Sequence, residues 1–318
     1  MIAILAPGQG AQKPGMLAAW LEHPGARERL EGFSDAAGID LVHLGTEAGA
    51  DEIADTAVTQ PLLVASALLA AGALTDRVAL PADAPVAGHS VGELAAAAVA
   101  GVLSAERAVA LAAVRGREMA AACAAEPTTM AAVLGGEEDA VLTALAERDL
   151  EPANRNGSGQ IVAAGRTADV EALADAPPEG ARIRPLSVAG AFHTRFMAPA
   201  EKALGEWVAA HRDELAPADP DRPLLSDADG EVITDGAAYL DRLVAQVTRS
   251  VRWDACMRTL ADRGVTAVLE LTPGGTLTGM VKRAVKGTAT LALNGSDQLD
   301  DAVALVTGHG DTDQGGAA

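Results

Sequence analysis

Aromatic residues are scarce in this 318-residue chain: three Trp, one Tyr and three Phe, 2% of the total. A core with so few rings has to be built from Leu, Val and Ala. Cysteine is almost missing too. Cys123 and Cys256 match no metal or redox spacing and exclude a disulfide scaffold, so both are expected as small core residues on helices. Positive charge is in deficit, with 24 Lys and Arg against 44 Asp and Glu and a formal net charge of −20. Such a chain repels nucleic acid, and no basic stripe interleaved with rings offsets the repulsion. Long hydrophobic runs are lacking: the longest, residues 62–74, falls short of the roughly 18 that span a membrane. Residues 1–6 run straight into Pro7, without the basic start and cleavage site of a secretory signal. These absences point to a soluble, cytoplasmic protein with neither nucleic-acid nor membrane partners.

What remains is an ordinary globular balance of 49% hydrophobic and 21% charged residues. A chain of this mass buries about three quarters of its unfolded surface, enough for one large domain carrying a smaller one. Short apolar runs at 1–6, 85–88, 265–271 and 288–293 read as buried strands. Helical patterns alternate with them at 59–74, 91–102, 104–125, capped by Ser104, and 277–285. That alternation predicts an α/β fold with a parallel sheet. The rhythm changes between Met130 and His193, where strand 130–134, helix 137–148, strands 150–154 and 160–164, helix 167–174 and strand 182–188 follow one another. This β-α-β-β-α-β order is ferredoxin-like and begins after Pro127, so it reads as an insert. The expected division is a discontinuous large domain, 1–127 with 194–306, and an insert, 128–193. The small, polar tail 307–318 is expected to be disordered.

The strongest local signal is Gly88-His89-Ser90-Val91-Gly92, a G-x-S-x-G pattern between a predicted strand and a predicted helix. There a sharp turn holds the Ser90 hydroxyl at a helix N-terminus, whose free N–H groups suit a developing oxyanion. A capping serine in a Gly-rich turn is the plainer alternative. Of six histidines, His193 stands where the insert returns to the large domain, at the place a cleft would form. Arg115 and Met119, four residues apart, share a helix face with Leu111 that should look inward, whereas Arg117 projects elsewhere. A buried arginine asks for a carboxylate or phosphate, and its planar fork fits a carboxylate. The residues alone leave open whether that partner is a ligand or an internal Asp or Glu. Gly8-Gln9-Gly10-Ala11-Gln12 lacks the third glycine of a dinucleotide loop, and Met280 stands where a phosphate loop needs lysine. No clustered His and Cys set suggests a metal site.

Taken in order, these pieces resemble the malonyl-CoA:acyl carrier protein transacylases of bacterial fatty acid synthesis, relatives of polyketide synthase acyltransferase domains. The match includes Gly8–Gln12, Thr59-Gln60-Pro61, Gly88-His89-Ser90-Val91-Gly92-Glu93, Arg115-Gly116-Arg117, Asn156 with Gly159-Gln160, Phe192-His193, Gln246 to Trp253 and Pro273-Gly274. It covers about residues 1–295. The resemblance implies an α/β-hydrolase-like core with a ferredoxin-like insert. It implies a ping-pong transfer in which Ser90 takes the malonyl group from malonyl-CoA, with His193 as general base, and passes it to the phosphopantetheine thiol of acyl carrier protein. By the same resemblance the Gln9 and Val91 N–H groups hold the oxyanion and Arg115 grips the malonyl carboxylate. Met119, Asn156 and Phe192 contact substrate, and the Gln246 carbonyl orients His193 where a hydrolase would use an acid. Phe before the histidine goes with malonyl in related acyltransferases, and Ser with methylmalonyl. No cofactor is implied, since CoA is part of the donor and phosphopantetheine belongs to the partner; a monomer is expected. Lys282, Arg283 and Lys286, or Arg249 with Arg252, are candidate basic patches for an acidic carrier, or simply solvated helix faces. The competing readings are a serine esterase or thioesterase and a non-catalytic carrier-binding module.

Overall fold

The computed structural model describes residues 1–310. Strand β1 (Ile2–Ala6) leads through helices α1 (Ala26–Ala37) and α2 (Leu41–Thr46) to α3 (Thr56–Thr75). Then come β2 (Val86–Gly88), α4 (Gly92–Val99) and α5 (Ala105–Cys123). A second unit follows: β3 (Thr128–Gly135), α6 (Glu138–Ala146), β4 (Glu151–Gly157), β5 (Gln160–Arg166), α7 (Thr167–Asp175) and β6 (Ala181–Pro185). The chain continues through α8 (Ala198–Ala210), α9 (Arg212–Leu215), β7 (Leu224–Leu225), β8 (Val232–Ile233), α10 (Gly236–Ala245) and α11 (Trp253–Asp262). It closes with β9 (Ala267–Glu270), α12 (Thr276–Ala284), β10 (Ala289–Ala292) and α13 (Leu299–Gly310).

The larger sheet has six strands in the order β10-β9-β1-β2-β7-β8. Its strands pair in parallel except at the edge, where β8 runs antiparallel to β7. β1 shows why the strands read as apolar runs rather than alternations. Ile2, Ile4 and Ala6 enter the core beneath α3, α4 and α5, while Ala3 and Leu5 enter a second core with Trp253 and Leu277 on the other face. Both faces are covered, so every residue of β1 is buried. α3 is long and apolar enough to cross a membrane by length and composition, yet it is a core helix, buried over most of its surface. Its 20 residues begin at Thr56 because Asp55 caps it, accepting from the Ala57 N–H at 2.8 Å.

The smaller sheet is antiparallel, in the order β4-β5-β3-β6, and packs α6 and α7 over its own core of Val133, Leu145, Ile161 and Leu173. The protein is thus an α/β fold with a parallel sheet and a second, antiparallel sheet. Two expectations need correcting. α13 runs through Gly310, so residues 307–310 are helix; the rest of the expected disordered tail lies outside the described residues. Cys256 is buried on α11 as expected, whereas Cys123, the last residue of α5, is partly exposed. The edge strands β7 and β8, two residues each, are too short to show as a periodicity.

Candidate active site

β1 and β2 are parallel neighbours, with Ala6 beside Gly88. The loops leaving their C-terminal ends therefore lie side by side, the usual place for a site in an open α/β sheet. One carries Gly8, Gln9 and Gly10, and the other carries Ser90. A Cβ on Gly88 would sit 2.1 Å from the Gly92 carbonyl carbon, and one on Gly92 would sit 2.3 Å from the Ala6 carbonyl oxygen. Both glycines of the motif are there because the turn packs onto itself and onto β1. Between them Ser90 has φ +54°, a left-handed conformation unusual for a residue with a side chain. Val91 then caps α4.

His193 lies in the loop between β6 and α8, also left-handed at φ +59°. Its Nε2 stands 2.7 Å from Ser90 Oγ, and its Nδ1 stands 2.9 Å from the Gln246 carbonyl oxygen. A carbonyl only accepts, so Nδ1 carries the hydrogen and Nε2 offers its lone pair to the Ser90 hydroxyl. Burial, helped by the nearby Arg115 charge, pushes the imidazole down to about 3. It is therefore neutral at physiological pH, as a proton acceptor must be.

Arg115 sits on α5 with Met119 one turn later, both turned inward and buried. Its guanidinium donates to Gln60 Oε1 at 2.7 Å and Gln246 Oε1 at 2.6 Å, and it lies 3.5 Å from Ser90 Oγ. Both strong partners are neutral amides. Burial pushes the guanidinium down to about 10, against the pull of Asp227 and Glu93. Arg117, two residues on, is exposed and pairs with Glu118 at 3.0 Å.

Ser90, His193 and Gln60 line a cleft of about 240 Å³ between the two sheets, with Arg115 directly behind Gln60 and Ser90. Gln9, Met119, Asn156 and Phe192 line it too. Gln60 Nε2 donates to Met119 Sδ at 3.3 Å, which fixes the thioether against the amide beside Arg115. Asn156 Oδ1 lies 3.1 Å from His89 Nε2, and the His89 ring meets the edge of Trp253 at 5.7 Å. Among the described residues, neither the Gln9 nor the Val91 N–H donates to a protein acceptor. Of the two basic patches, Arg252 is bound to Asp254 at 2.8 Å and is not a free cation. Lys282 and Arg283 stand in the last turn of α12, whose Leu277 and Met280 line the cleft.

Sequence reasoning assigned no role to the polar layer behind the nucleophile. Asp227 Oδ2 accepts the Ser90 N–H at 2.7 Å, and Glu93 Oε1 accepts the Asp227 N–H at 2.7 Å. The Gln246 side chain joins them: its Nε2 lies 3.0 Å from the Ser90 carbonyl oxygen and 3.1 Å from Asp227 Oδ2, and it also bonds Glu93 Oε2. Burial raises the Glu93 carboxyl, and burial together with Glu93 raises Asp227 well above the ordinary carboxyl range. Glu93 follows the G-x-S-x-G motif and could have been found from it. Asp227, in the turn at residues 226–230, carries no sign of burial in its local sequence until β7 is seen beside β2.

Such an elbow, base and buried cation define the class as an acyltransferase, and the wider comparison supports that class. Residues 4–316 match the acyl transferase domain model. The malonyl CoA-acyl carrier protein transacylase of Mycobacterium tuberculosis is 54% identical over 302 residues, covering 95% of this chain and 99% of that protein. That of Escherichia coli is 34% identical over 310 residues, covering 95% and 99%. The chain belongs to the acyl transferase family and, within it, to the malonyl CoA-acyl carrier protein transacylases. The crystal structure of the M. tuberculosis transacylase superposes with a TM-score of 0.90 at 53% identity, covering 95% of this chain and 99% of that one. A malonyl-transacylase solved in complex with a type II PKS acyl-carrier protein superposes at 0.87 with 29% identity, covering 95% and 99%.

Proposed function

We propose that this chain transfers malonyl groups from malonyl-CoA to acyl carrier protein through a malonyl ester on Ser90. The observation that carries the reading is Arg115: a buried guanidinium 3.5 Å from the Ser90 oxygen, held by two neutral amide oxygens. An internal ion pair would have met it with a carboxylate. Instead its charge is left for an acyl group that ends in a free carboxylate, which its planar fork suits.

In the first half-reaction the Ser90 hydroxyl gives its proton to His193 Nε2 and attacks the thioester carbonyl. The carbonyl oxygen becomes an oxyanion, received by the Gln9 and Val91 N–H groups, the second at the positive end of α4. The tetrahedral intermediate collapses as His193 returns the proton to the departing CoA sulfur. In the second half the phosphopantetheine thiol repeats the sequence in reverse, with His193 taking the thiol proton. The Gln246 carbonyl holds the imidazole tautomer throughout, the role an acid plays in hydrolytic triads. Met119, Asn156 and Phe192 shape the acyl pocket. The Phe192 ring leaves little room for an α-methyl, so malonyl is favoured over methylmalonyl.

The transfer as written calls on no cofactor, because CoA and phosphopantetheine belong to the two substrates. We also propose that residues 1–127 with 194–306 act as the large domain and 128–193 as an insert supplying the opposite wall of the cleft, in a cytoplasmic monomer. Lys282 and Arg283, flanking the cleft in an otherwise acidic chain, are the side from which an acidic carrier would approach.

The decisive measurement is intact-protein mass spectrometry after brief exposure to malonyl-CoA, with peptide mapping. A malonyl adduct on Ser90, discharged by acyl carrier protein, is expected. An adduct elsewhere, a preference for acetyl-CoA, or discharge to water as fast as to carrier would reject the reading. The last outcome would favour the esterase alternative, for which a buried guanidinium has no evident use.

A further inference from the structure

Two carboxyl groups lie directly behind the nucleophile, and the acyl-transfer steps use neither. Glu93 and Asp227 are 1% and 0% exposed, and among the described residues neither forms an ion pair with a Lys or Arg. The groups facing them come from four other elements. Arg115 on α5 is the nearest cation, separated from them by the Gln246 amide, while Tyr239 on α10 and Cys256 on α11 are neutral neighbours. The His193 imidazole lies beyond Ser90 and Arg115.

Four carboxyl oxygens and the Ser90 carbonyl converge behind the nucleophile. The donors facing them are the Ser90 N–H, the Asp227 N–H, the Gln246 side-chain amide, with two hydrogens on one nitrogen, and the Tyr239 hydroxyl beside Glu93. That nitrogen is within hydrogen-bond reach of three acceptor groups: Ser90 O, Glu93 and Asp227. Its two hydrogens serve two of the three at a time, so the two carboxyls compete for one amide nitrogen, and among the described residues no Lys or Arg side chain bonds either of them. Two buried carboxylates sharing a site do not both ionise, because each opposes the other's charge in a region water does not reach.

We propose that Glu93 and Asp227 share a single proton and act as a positioning pair: Asp227 clamps the Ser90 amide in its left-handed turn, and the pair's one negative charge, relayed through Gln246, aims Arg115 without neutralising it. With one proton the pair and Arg115 together are neutral, and the guanidinium stays free to take the substrate carboxylate. With none, the two carboxylates would outweigh Arg115 and oppose an incoming anion. Burial raises both carboxyls, in agreement with a retained proton.

Only the kinetic part of the test depends on the malonyl-transfer reading. Infrared difference spectroscopy of the intact protein at neutral pH, parent against the Glu93→Gln, Asp227→Asn double variant, reads the proton directly and needs no substrate. The parent should show a carboxylic-acid C=O band that the double variant lacks; identical spectra in that region would overturn the proposal. In turnover with malonyl-CoA, Asp227→Ala should lower kcat about tenfold, the worth of one hydrogen bond to the turn. Asp227→Asn, which keeps an oxygen for the Ser90 N–H, should recover most of that loss. A loss that falls on KM alone, or an Asn variant as slow as the Ala variant, would overturn the clamp. Should Asp227→Ala fail to fold, the infrared comparison decides.

Discussion

Where the large sheet meets the cleft, the side chains are polar and bonded to one another; where the small sheet meets it, they are mainly apolar. On the first wall Ser90, His193, Arg115 and Gln246 are tied by contacts of 2.6 to 3.5 Å. On the second, Met130, Ala132, Val162 and Leu186 offer shape, and Asn154, Asn156 and Gln160 are the polar exceptions. In the proposed transfer, reactivity rests on one wall and fit on the other, so the pocket can be reshaped without disturbing the groups proposed to move protons.

That division can be broken most severely at the nucleophile. Ser90→Ala should abolish the covalent adduct and lower turnover by about 10³-fold or more, read by mass spectrometry and steady-state rates. Next comes Arg115→Ala, which removes charge-assisted bonds and should cost about 10- to 100-fold in kcat/KM for malonyl-CoA while sparing or raising acetyl transfer. Unchanged malonyl kinetics would take Arg115 out of the site. Phe192→Ser tests the matter of fit. It should narrow the preference for malonyl over methylmalonyl by about tenfold with little change in malonyl kcat, and a proportional loss with both thioesters would show that the ring positions the base instead.

Acid should separate the walls by stability, with the smallest effect. The folded-state value of His193 lies far below that of the unfolded chain, so its contribution is complete above about pH 6.5 and is lost as pH falls towards about 3. Over that window the loss is at most about 1.4 kcal/mol per pH unit. Urea midpoints at pH 7.0 and 5.5 should therefore drop further in the parent than in His193→Gln, and equal drops would contradict a buried neutral imidazole.

Much of this was legible beforehand, and for identifiable reasons. Strand β1 and helix α5 carry strong local patterns, an apolar run buried on both faces and a capped amphipathic helix, and the elbow is a short motif with fixed neighbours. Arg115 stood out because a cation on an inward face violates the pattern. Its partners could not be read, since Gln60 and Gln246 are 55 and 131 residues away in sequence. Asp227 was invisible for the same reason. The short strands β7 and β8 form because β2 offers an open edge, a tertiary cause that leaves no mark on two residues.

Ser90 and His193 both stand on left-handed backbone, where a residue bearing a side chain costs of order 1–3 kcal/mol. Glycine would relieve that cost at either place. Ser90→Gly should therefore give a dead protein that melts at a higher temperature than the living one, since resilience and turnover compete for the same bend in the chain.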